Sequence, residues 1–181
     1  MSTVSITEEQ LFTALRDFIT SLVDPNLPVI RGLQNRVPTP EGDFVAMSPL
    51  FSQGLATTVQ TYQQPVAPAT VGTQTNQQSK QWTAQIDCYG ESANDTAALL
   101  SAMARTPYAA DRFAAGGLGI QPLYASDPRQ LSFVTGESEY QERWTFELSL
   151  QYNPQVVVSQ EFADTVTVGL INVDVQYPPG A

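Results

Sequence analysis

The longest strand pattern in the chain lies at residues 140–152 and reads YQERWTFELSLQY. Apolar and polar side chains alternate along it, which is typical of a strand with only one face in the core. We expect Trp144 and Phe146 to be buried, whereas the face that carries Arg143 and Glu147 meets solvent or a partner. The full core face is predicted to be Tyr140, Glu142, Trp144, Phe146, Leu148, Leu150 and Tyr152.

A second alternation predicts a neighbouring strand at residues 82–89. Trp82, Ala84, Ile86 and Cys88 lie on one face of it, and polar residues lie on the other. We expect Trp82 and Ile86 to share the core with Phe146. Shorter β-prone runs lie at residues 28–30, 44–47, 55–62, 118–124 and 165–177, and we expect 44–47 and 55–62 to be neighbouring antiparallel strands.

Two segments have helical patterns. Residues 8–22 form an amphipathic helix that begins with a capping box of Thr7 and Gln10, with Ile6 before the cap as a hydrophobic staple on Leu11. A second helix follows Ser92, the predicted N-cap, with Asp95 in its first turn, and ends at Thr106-Pro107. We expect residues 108–117 to be a loop or a short extra turn.

These elements predict an α+β fold with a single domain at residues 1–181. The sheet is antiparallel-rich and sandwich-like, and the two main helices pack on one face. Residues 63–79 are uncharged and contain Pro65 and Pro68, so we expect them to project as a long, flexible hairpin loop. This loop should become ordered only when a neighbouring protein contacts it.

The composition excludes several kinds of active site. The chain has 181 residues, no histidine and a single cysteine, Cys88. It therefore lacks the commonest general base and the commonest metal ligand, and a zinc site of Cys and His cannot be built. One thiol forms no intramolecular disulfide. We interpret Cys88 as a small buried hydrophobic residue.

The net charge of the chain argues against binding to the phosphates of nucleic acid. The chain carries 18 acidic and 8 basic residues, for a net charge of −10, and Lys80 is its sole lysine. Binding to phosphates needs clustered Lys and Arg. Only 14% of residues are charged, against a typical value of about 25%, and such a surface suits packing against other protein. The chain shows no signal peptide and no apolar run of membrane-spanning length.

The remaining candidate motifs have simple structural interpretations. Gly116-Gly117-Leu118-Gly119 begins like a dinucleotide fingerprint, but Pro122 stands where the third glycine belongs, so we interpret it as a turn. Asp87-Cys88-Tyr89-Gly90, followed by Ser92, is interpreted as a joint between a strand and a helix. Glu137, Glu139 and Glu147 are expected on a solvated face, and Glu142 could pair with an arginine. We predict no catalytic, cofactor-binding or metal-binding residue.

Several short motifs, in this order, resemble the neck or tail-terminator proteins of tailed bacteriophages. The resemblance extends from the first helix to Tyr177, and it depends on the order of the motifs. They are Asn35-Arg36-Val37-Pro38, Pro40-Glu41-Gly42-Asp43-Phe44, Asp87-Cys88-Tyr89-Gly90, Pro122-Leu123-Tyr124, Ser126-Asp127-Pro128-Arg129, Tyr140-Gln141-Glu142-Arg143-Trp144, Gln151-Tyr152-Asn153 and Val173-Asp174-Val175-Gln176-Tyr177-Pro178.

The resemblance implies a structural protein of the virion, made in the host cytoplasm. Such a protein closes the head-proximal end of the tail as a homo-oligomeric ring, expected to be a hexamer, around the DNA channel. Its expected partners are the tail tube, a sheath protein and the head-to-tail connector, with no membrane and no sequence-specific DNA contact. Two alternatives stay open: another tail protein such as a tube or sheath-associated subunit, and a small hydrolase that uses carboxylates alone.

Overall fold

The computed structural model of the chain describes residues 4–32, 38–65, 71–131, 133–134, 140–163 and 168–169. The helices in that part of the chain are α1 (Glu8–Thr20), α2 (Ala93–Ala104) and α3 (Pro107–Ala115). The strands are β1 (Val29–Arg31), β2 (Phe44–Gly54), β3 (Val59–Gln63), β4 (Val71–Gln77), β5 (Lys80–Tyr89), β6 (Gln121–Ala125), β7 (Arg129–Gln130), β8 (Phe133–Val134), β9 (Tyr140–Gln141), β10 (Arg143–Tyr152) and β11 (Gln155–Glu161).

The larger sheet, called here the main sheet, has the strand order β1-β2-β5-β10-β6, and β7 also pairs with β10. Only the β1–β2 contact in this sheet is parallel. A second sheet has the order β11-β4-β3, with both contacts antiparallel, and β8 pairs with β9. The predicted α+β class with antiparallel-rich sheets is confirmed.

The hydrophobic core lies between the main sheet and the helices. Phe146 lies opposite Ile86 and Leu148 lies opposite Ala84 in the β5–β10 pairing, and all four are at most 1% exposed. Trp82 is also buried, and the half-buried Trp144 packs against the core, as the alternation predicted. The helices cover this face with apolar side chains that include Leu15 and Phe18 from α1, Leu100 from α2 and Phe113 from α3.

The start of α1 confirms the predicted capping box. The Thr7 hydroxyl accepts a hydrogen bond from the Gln10 N–H, and the Gln10 side chain accepts one from the Thr7 N–H. Ile6 and Leu11 are both buried in the core, as a hydrophobic staple requires. The helix ends at Thr20, two residues before the predicted end. On its buried face, the Phe12 ring meets Trp82 edge to face, with 5.0 Å between ring centroids.

The segment after α2 is a third helix and not the expected loop or short turn. Pro107 follows the end of α2, as expected, but it also lies in the first turn of α3. At that position a backbone N–H has no partner within the helix, so proline costs no hydrogen bond, and its fixed φ suits a helix. Phe113 then stacks on Phe18 of α1, with 5.2 Å between centroids. Packing against α1 therefore stabilises a helix whose own sequence signal is weak.

The expected pairing of residues 44–47 with residues 55–62 is wrong. β2 extends from Phe44 to Gly54, and its neighbours are β1 and β5. β3 begins at Val59 and pairs with β4 in the other sheet. Adjacency in the sequence had suggested a hairpin, but the core face of β2 is covered only when Val45 and Met47 lie beside Cys88 and Ile86 of β5.

The segment at residues 63–79 is not a loop throughout, because Val71–Gln77 forms β4. β11 at Gln155–Glu161 was not predicted either, although it pairs with β4 along its whole length. Neither strand shows apolar–polar alternation, since Thr and Gln dominate β4 and three consecutive valines interrupt the pattern in β11. The predicted closing strand at 165–177 lies outside the described residues apart from 168–169, and so do Arg36, Glu137 and Glu139.

The buried position of Phe146 leads to a stability prediction. We expect Phe146→Ala to lower the free energy of unfolding by about 3–5 kcal/mol, because it removes a buried ring and leaves a cavity between the sheet and the helices. Denaturant unfolding followed by circular dichroism measures the loss.

Phe51→Ala is the matched control, because Phe51 lies on β2 with 48% of its surface exposed. It should lower the free energy of unfolding by less than about 1 kcal/mol. Equal unfolding midpoints for the two variants would show that the faces of β10 have been assigned the wrong way round.

Candidate functional site

The face of the main sheet opposite the helices, called here the polar face, is built from the second set of alternating residues. Side chains alternate between the two faces of a strand, so the sequence neighbours of Phe146 and Ile86 lie on this face. Asp87, Thr83, Thr145 and Ser149 are nevertheless at most 6% exposed. The β5 and β10 residues on it are Gln81, Thr83, Gln85, Asp87, Tyr89, Arg143, Thr145, Glu147, Ser149 and Gln151.

A buried ion pair lies on this polar face. The Arg143 guanidinium donates to Asp87 Oδ1 through Nη2 at 3.0 Å and through Nε at 3.1 Å. The Asp87 side chain is only 5% exposed and the Arg143 side chain is 22% exposed. Gln85 Nε2 lies 2.9 Å from both carboxylate oxygens. Hydrogen bonds from two residues therefore satisfy the buried carboxylate, which lowers the cost of its burial.

Aromatic rings border the ion pair. The Arg143 guanidinium carbon lies 5.6 Å from the centroid of the Tyr89 ring, and Tyr89 stacks on Phe44 with 4.4 Å between centroids. Burial first, and then the Asp87 carboxylate, raises the pKa of the Tyr89 phenol above its usual value, while Arg143 opposes the rise. The phenol therefore stays neutral at physiological pH, and the cluster carries no net charge.

The other end of the polar face is a ladder of neutral side chains. Thr83 Oγ1 lies 2.9 Å from Ser149 Oγ, and Gln81 Nε2 donates to Ser149 Oγ at 3.0 Å. Thr145 Oγ1 is also buried. Among the buried side-chain nitrogen and oxygen atoms in the described part of the chain, it is the one without a hydrogen-bond partner. These hydrogen bonds hold the side chains in place before any partner arrives, which lowers the entropy lost on binding.

The charged residues of the polar face form two oppositely charged pairs. Besides Asp87 and Arg143, Glu147 Oε1 lies 3.6 Å from Arg129 Nη2 on the neighbouring β7. The polar face is thus close to neutral in a chain with a net charge of −10. Neutrality, aromatic residues and arginine are typical of surfaces that pack against other protein.

The predicted joint between β5 and α2 is present, but Asp43 holds it together. Ser92 makes no capping hydrogen bond with its side chain. Its hydroxyl instead donates to Asp43 Oδ2 at 2.5 Å, and its N–H donates to the same oxygen at 3.3 Å. Gly90 has φ of 99°, and a Cβ there would lie 2.8 Å from the Asp43 Cα. Asp43 was missed as a structural residue because its partners lie 49 residues away.

Cys88 and the glycine motif behave as predicted. Cys88 is 1% exposed, and burial, followed by the charge of Asp87, raises the pKa of its thiol to about 12. A thiol with that pKa is not a nucleophile at neutral pH. Gly117 and Gly119 have φ of 69° and 65°, as expected of a turn, and no helix begins after them.

Of the candidate glutamates, Glu142 and Glu147 lie within the described residues, and each has a different partner. Glu142 is exposed and accepts a hydrogen bond from Trp144 Nε1 at 3.2 Å, in place of the expected pairing with an arginine. Glu147 lies beside Arg129 on the polar face. Within the described residues, no group of His, Cys, Asp or Glu has the arrangement of a metal site.

The second sheet, β11-β4-β3, forms a three-stranded extension that we call the arm. Its strands follow on from the central strands of the main sheet, because β2 leads into β3, β4 leads into β5 and β10 leads into β11. Hydrogen bonds join the two sheets at this junction, from the Leu55 N–H to the Ser79 carbonyl at 2.8 Å and from Ser79 Oγ to Asn153 Oδ1 at 2.8 Å.

The arm exposes apolar side chains and carries almost no charge. Val59 is 62% exposed, Tyr62 is 54% exposed and Val157 is 46% exposed. Glu161, the last residue of β11, is the only charged residue in the three strands. A three-stranded sheet without a covered apolar face is only marginally stable by itself. The arm is therefore a surface that gains stability when another protein covers it.

Comparison with known proteins identifies a family. A family model described as phage neck terminator protein matches residues 9–179, which is nearly the whole chain. No curated protein matches the chain. Among the helices that the structure describes, none is long and apolar enough to cross a membrane.

The buried ion pair gives a prediction about stability. We expect Arg143→Met to lower the free energy of unfolding by about 3 kcal/mol, because it leaves the Asp87 carboxylate buried without its counter-charge. Adding Asp87→Asn should recover part of this loss. Urea unfolding at neutral pH measures both changes.

Arg129→Met is the control for the loss of an arginine on the same face. The Arg129 side chain is 64% exposed, and its 3.6 Å contact with Glu147 is accessible to solvent. Exposed pairs of this kind contribute about 0–1 kcal/mol. A loss in Arg143→Met no larger than that in Arg129→Met would contradict the stabilising role of the buried pair.

Proposed function

The chain belongs to the phage neck terminator protein family, and from this premise we propose that it closes the head-proximal end of the phage tail as a ring. In this role it joins the tail to the head-to-tail connector around the DNA channel. The family match over residues 9–179 is the observation that carries the proposal. The chain is a structural protein of the phage neck, and its partners are other proteins of the head and tail.

The surfaces of the subunit support assembly into a ring. A ring needs two different surfaces on each copy, so that the front of one copy meets the back of the next. The arm has two different outer strands, β3 and β11, for such a contact, and both the arm and the polar face carry little or no net charge. We propose a hexamer, as the resemblance to tail-terminator proteins implies, with the tail tube and a sheath protein on one side and the connector on the other.

The charge distribution supports free passage of DNA through the ring. Four of the eight basic residues are already paired with carboxylates, namely Arg31, Arg105, Arg129 and Arg143. The competing hypothesis is a basic girdle, in which Arg31 and Arg36 line one end of the ring and hold the tip of the DNA. The Arg31 guanidinium, however, lies 2.6 Å from Glu9 Oε2 and 4.0 Å from the centroid of the Phe12 ring. These contacts leave Arg31 with little capacity to bind a phosphate.

The proposal predicts that the purified protein binds one end of tail tubes. Negative-stain images of the protein mixed with tubes should show a closed ring at a single end of each tube. Growth of the protein into long filaments would contradict the proposal and favour the alternative of a tube or sheath-associated subunit. Tubes with two bare ends would contradict both.

Two lysine substitutions test whether end binding depends on the arm or on another exposed surface. Val59→Lys places a charge on the neutral arm and should abolish end binding. Leu99→Lys is the control, because Leu99 lies on α2 and is 43% exposed. It should leave end binding unchanged. Equal behaviour of the two variants would show that the arm has no role in assembly.

A second prediction concerns DNA. We expect the free protein to bind duplex DNA more weakly than micromolar, with a shallow salt dependence, because the slope is about −0.9 per neutralised phosphate and no basic cluster is available. Titrations at two salt concentrations measure both quantities. Micromolar or tighter binding with a steep slope would favour the basic girdle.

A further inference from the structure

Among the described residues, no strand covers the outer edge of β3 or most of the outer edge of β11. β3 has β4 as its one partner in that part of the chain, and all five of its side chains are exposed. β11 pairs with β4 on its inner side. On its outer side Val4 forms a bridge with Val156, and the Ser5 N–H donates to the Gln155 carbonyl at 3.0 Å. In the described part of the chain, Val157–Glu161 has no strand on that outer side.

These edges lack the features that usually protect a sheet from further pairing. Soluble proteins protect edge strands with lysine, proline, inward charges or bulges. β3 reads VQTYQ and has none of these residues, and its pairing with β4 is regular over five residues. β11 carries one charge, at its last residue. An uncharged strand can therefore approach either edge without electrostatic cost, although the whole chain carries −10.

The occupant that fits both edges is a second copy of this chain. β3 and β11 are both antiparallel to β4, so they run in the same direction. A second copy, rotated about an axis parallel to these strands, can place its β11 beside β3 of the first copy. The two strands then run in the same direction, so their pairing is parallel. Each contact uses one edge from each copy, and each copy keeps its other edge for the next neighbour. Repetition of this contact generates a ring.

We propose that β3 of one copy pairs in parallel with β11 of the next, so that the arms form one continuous sheet around the ring. This inference rests on the proposed function, because it supplies the contact between neighbours in the ring. Within one copy, Thr61 and Val157 both lie opposite Thr75 and therefore on the same face. Ser159 lies on that face too, and between copies we expect Thr61 beside Ser159 or beside a residue two positions away, because Val4 and Ser5 already occupy the outer side of Gln155 and Val156.

Disulfide cross-linking tests this pairing. Thr61→Cys and Ser159→Cys are made as separate proteins, mixed, assembled on tail tubes and treated with a mild oxidant. Two further partners for Thr61→Cys, Val157→Cys and Glu161→Cys, test registers shifted by two residues in either direction. One of the three mixtures should give covalent dimers roughly a hundredfold faster than unassembled protein does, because adjacent strands hold the thiols at millimolar effective concentration.

The controls use the same strands. Gln60→Cys lies on the other face of β3 and should not cross-link to Ser159→Cys. Each single variant should also fail to cross-link to itself, because the proposed contact joins β3 to β11 and never places identical residues side by side. The native Cys88 should not react, since it is buried and its thiol has a pKa of about 12. A double variant with both cysteines of the reactive pair should give a ladder of products that ends at the size of the ring.

The outcomes separate this inference from the proposed function. Rings at tube ends without cross-links in any of the three mixtures would overturn the inference and leave the proposed function in place. Thr61→Cys cross-linked to itself would also overturn the inference, because it would show a two-fold pairing of β3 with β3. The absence of rings at tube ends would overturn both.

Discussion

β5 and β10 pair over ten consecutive residues, from Tyr89 with Arg143 to Lys80 with Tyr152. This register positions both faces of the main sheet at once. It aligns Ile86 with Phe146 under the helices, and it brings Asp87 within reach of Arg143 on the other side. A slip by one residue would turn every side chain of a strand to the opposite face. Phe146 would then lie in solvent, and a charged residue would enter the core. Hydrophobic burial and the ion pair therefore favour the same register.

The junction between the main sheet and the arm anchors the arm to the ordered core. β4 precedes β5 by two residues and β11 follows β10 by two residues, so the central pair of the core leads directly into the arm. Hydrogen bonds at Ser79 and Gln78 connect the two sheets. The arm exposes its apolar residues, yet the core anchors its base. A surface that is held in this way loses little conformational entropy when a partner covers it.

The sequence predicted the elements whose signal lies within one strand or helix. The capping box of α1 and the alternation of β10 depend on neighbouring residues, and both are confirmed. β4 and β11 were missed because neither shows apolar–polar alternation, and α3 was missed because packing on Phe18 stabilises it. The Asp87–Arg143 pair depends on the register between two strands, which the sequence alone does not specify. The one indication in the sequence was that both residues lie on the polar faces of strands predicted to be neighbours.

The distribution of charge favours the proposed association of copies through the arm. Each copy carries −10 overall, whereas β3 and β4 are uncharged and β11 carries only Glu161. Neighbouring acidic bodies repel one another over a distance of roughly 8 Å at physiological ionic strength, while neutral arms do not. The proposed contact between arms would therefore join the copies where each chain carries least charge. Because this contact joins two different edges, it can repeat from copy to copy, and it closes a ring when the successive rotations add up to a full turn.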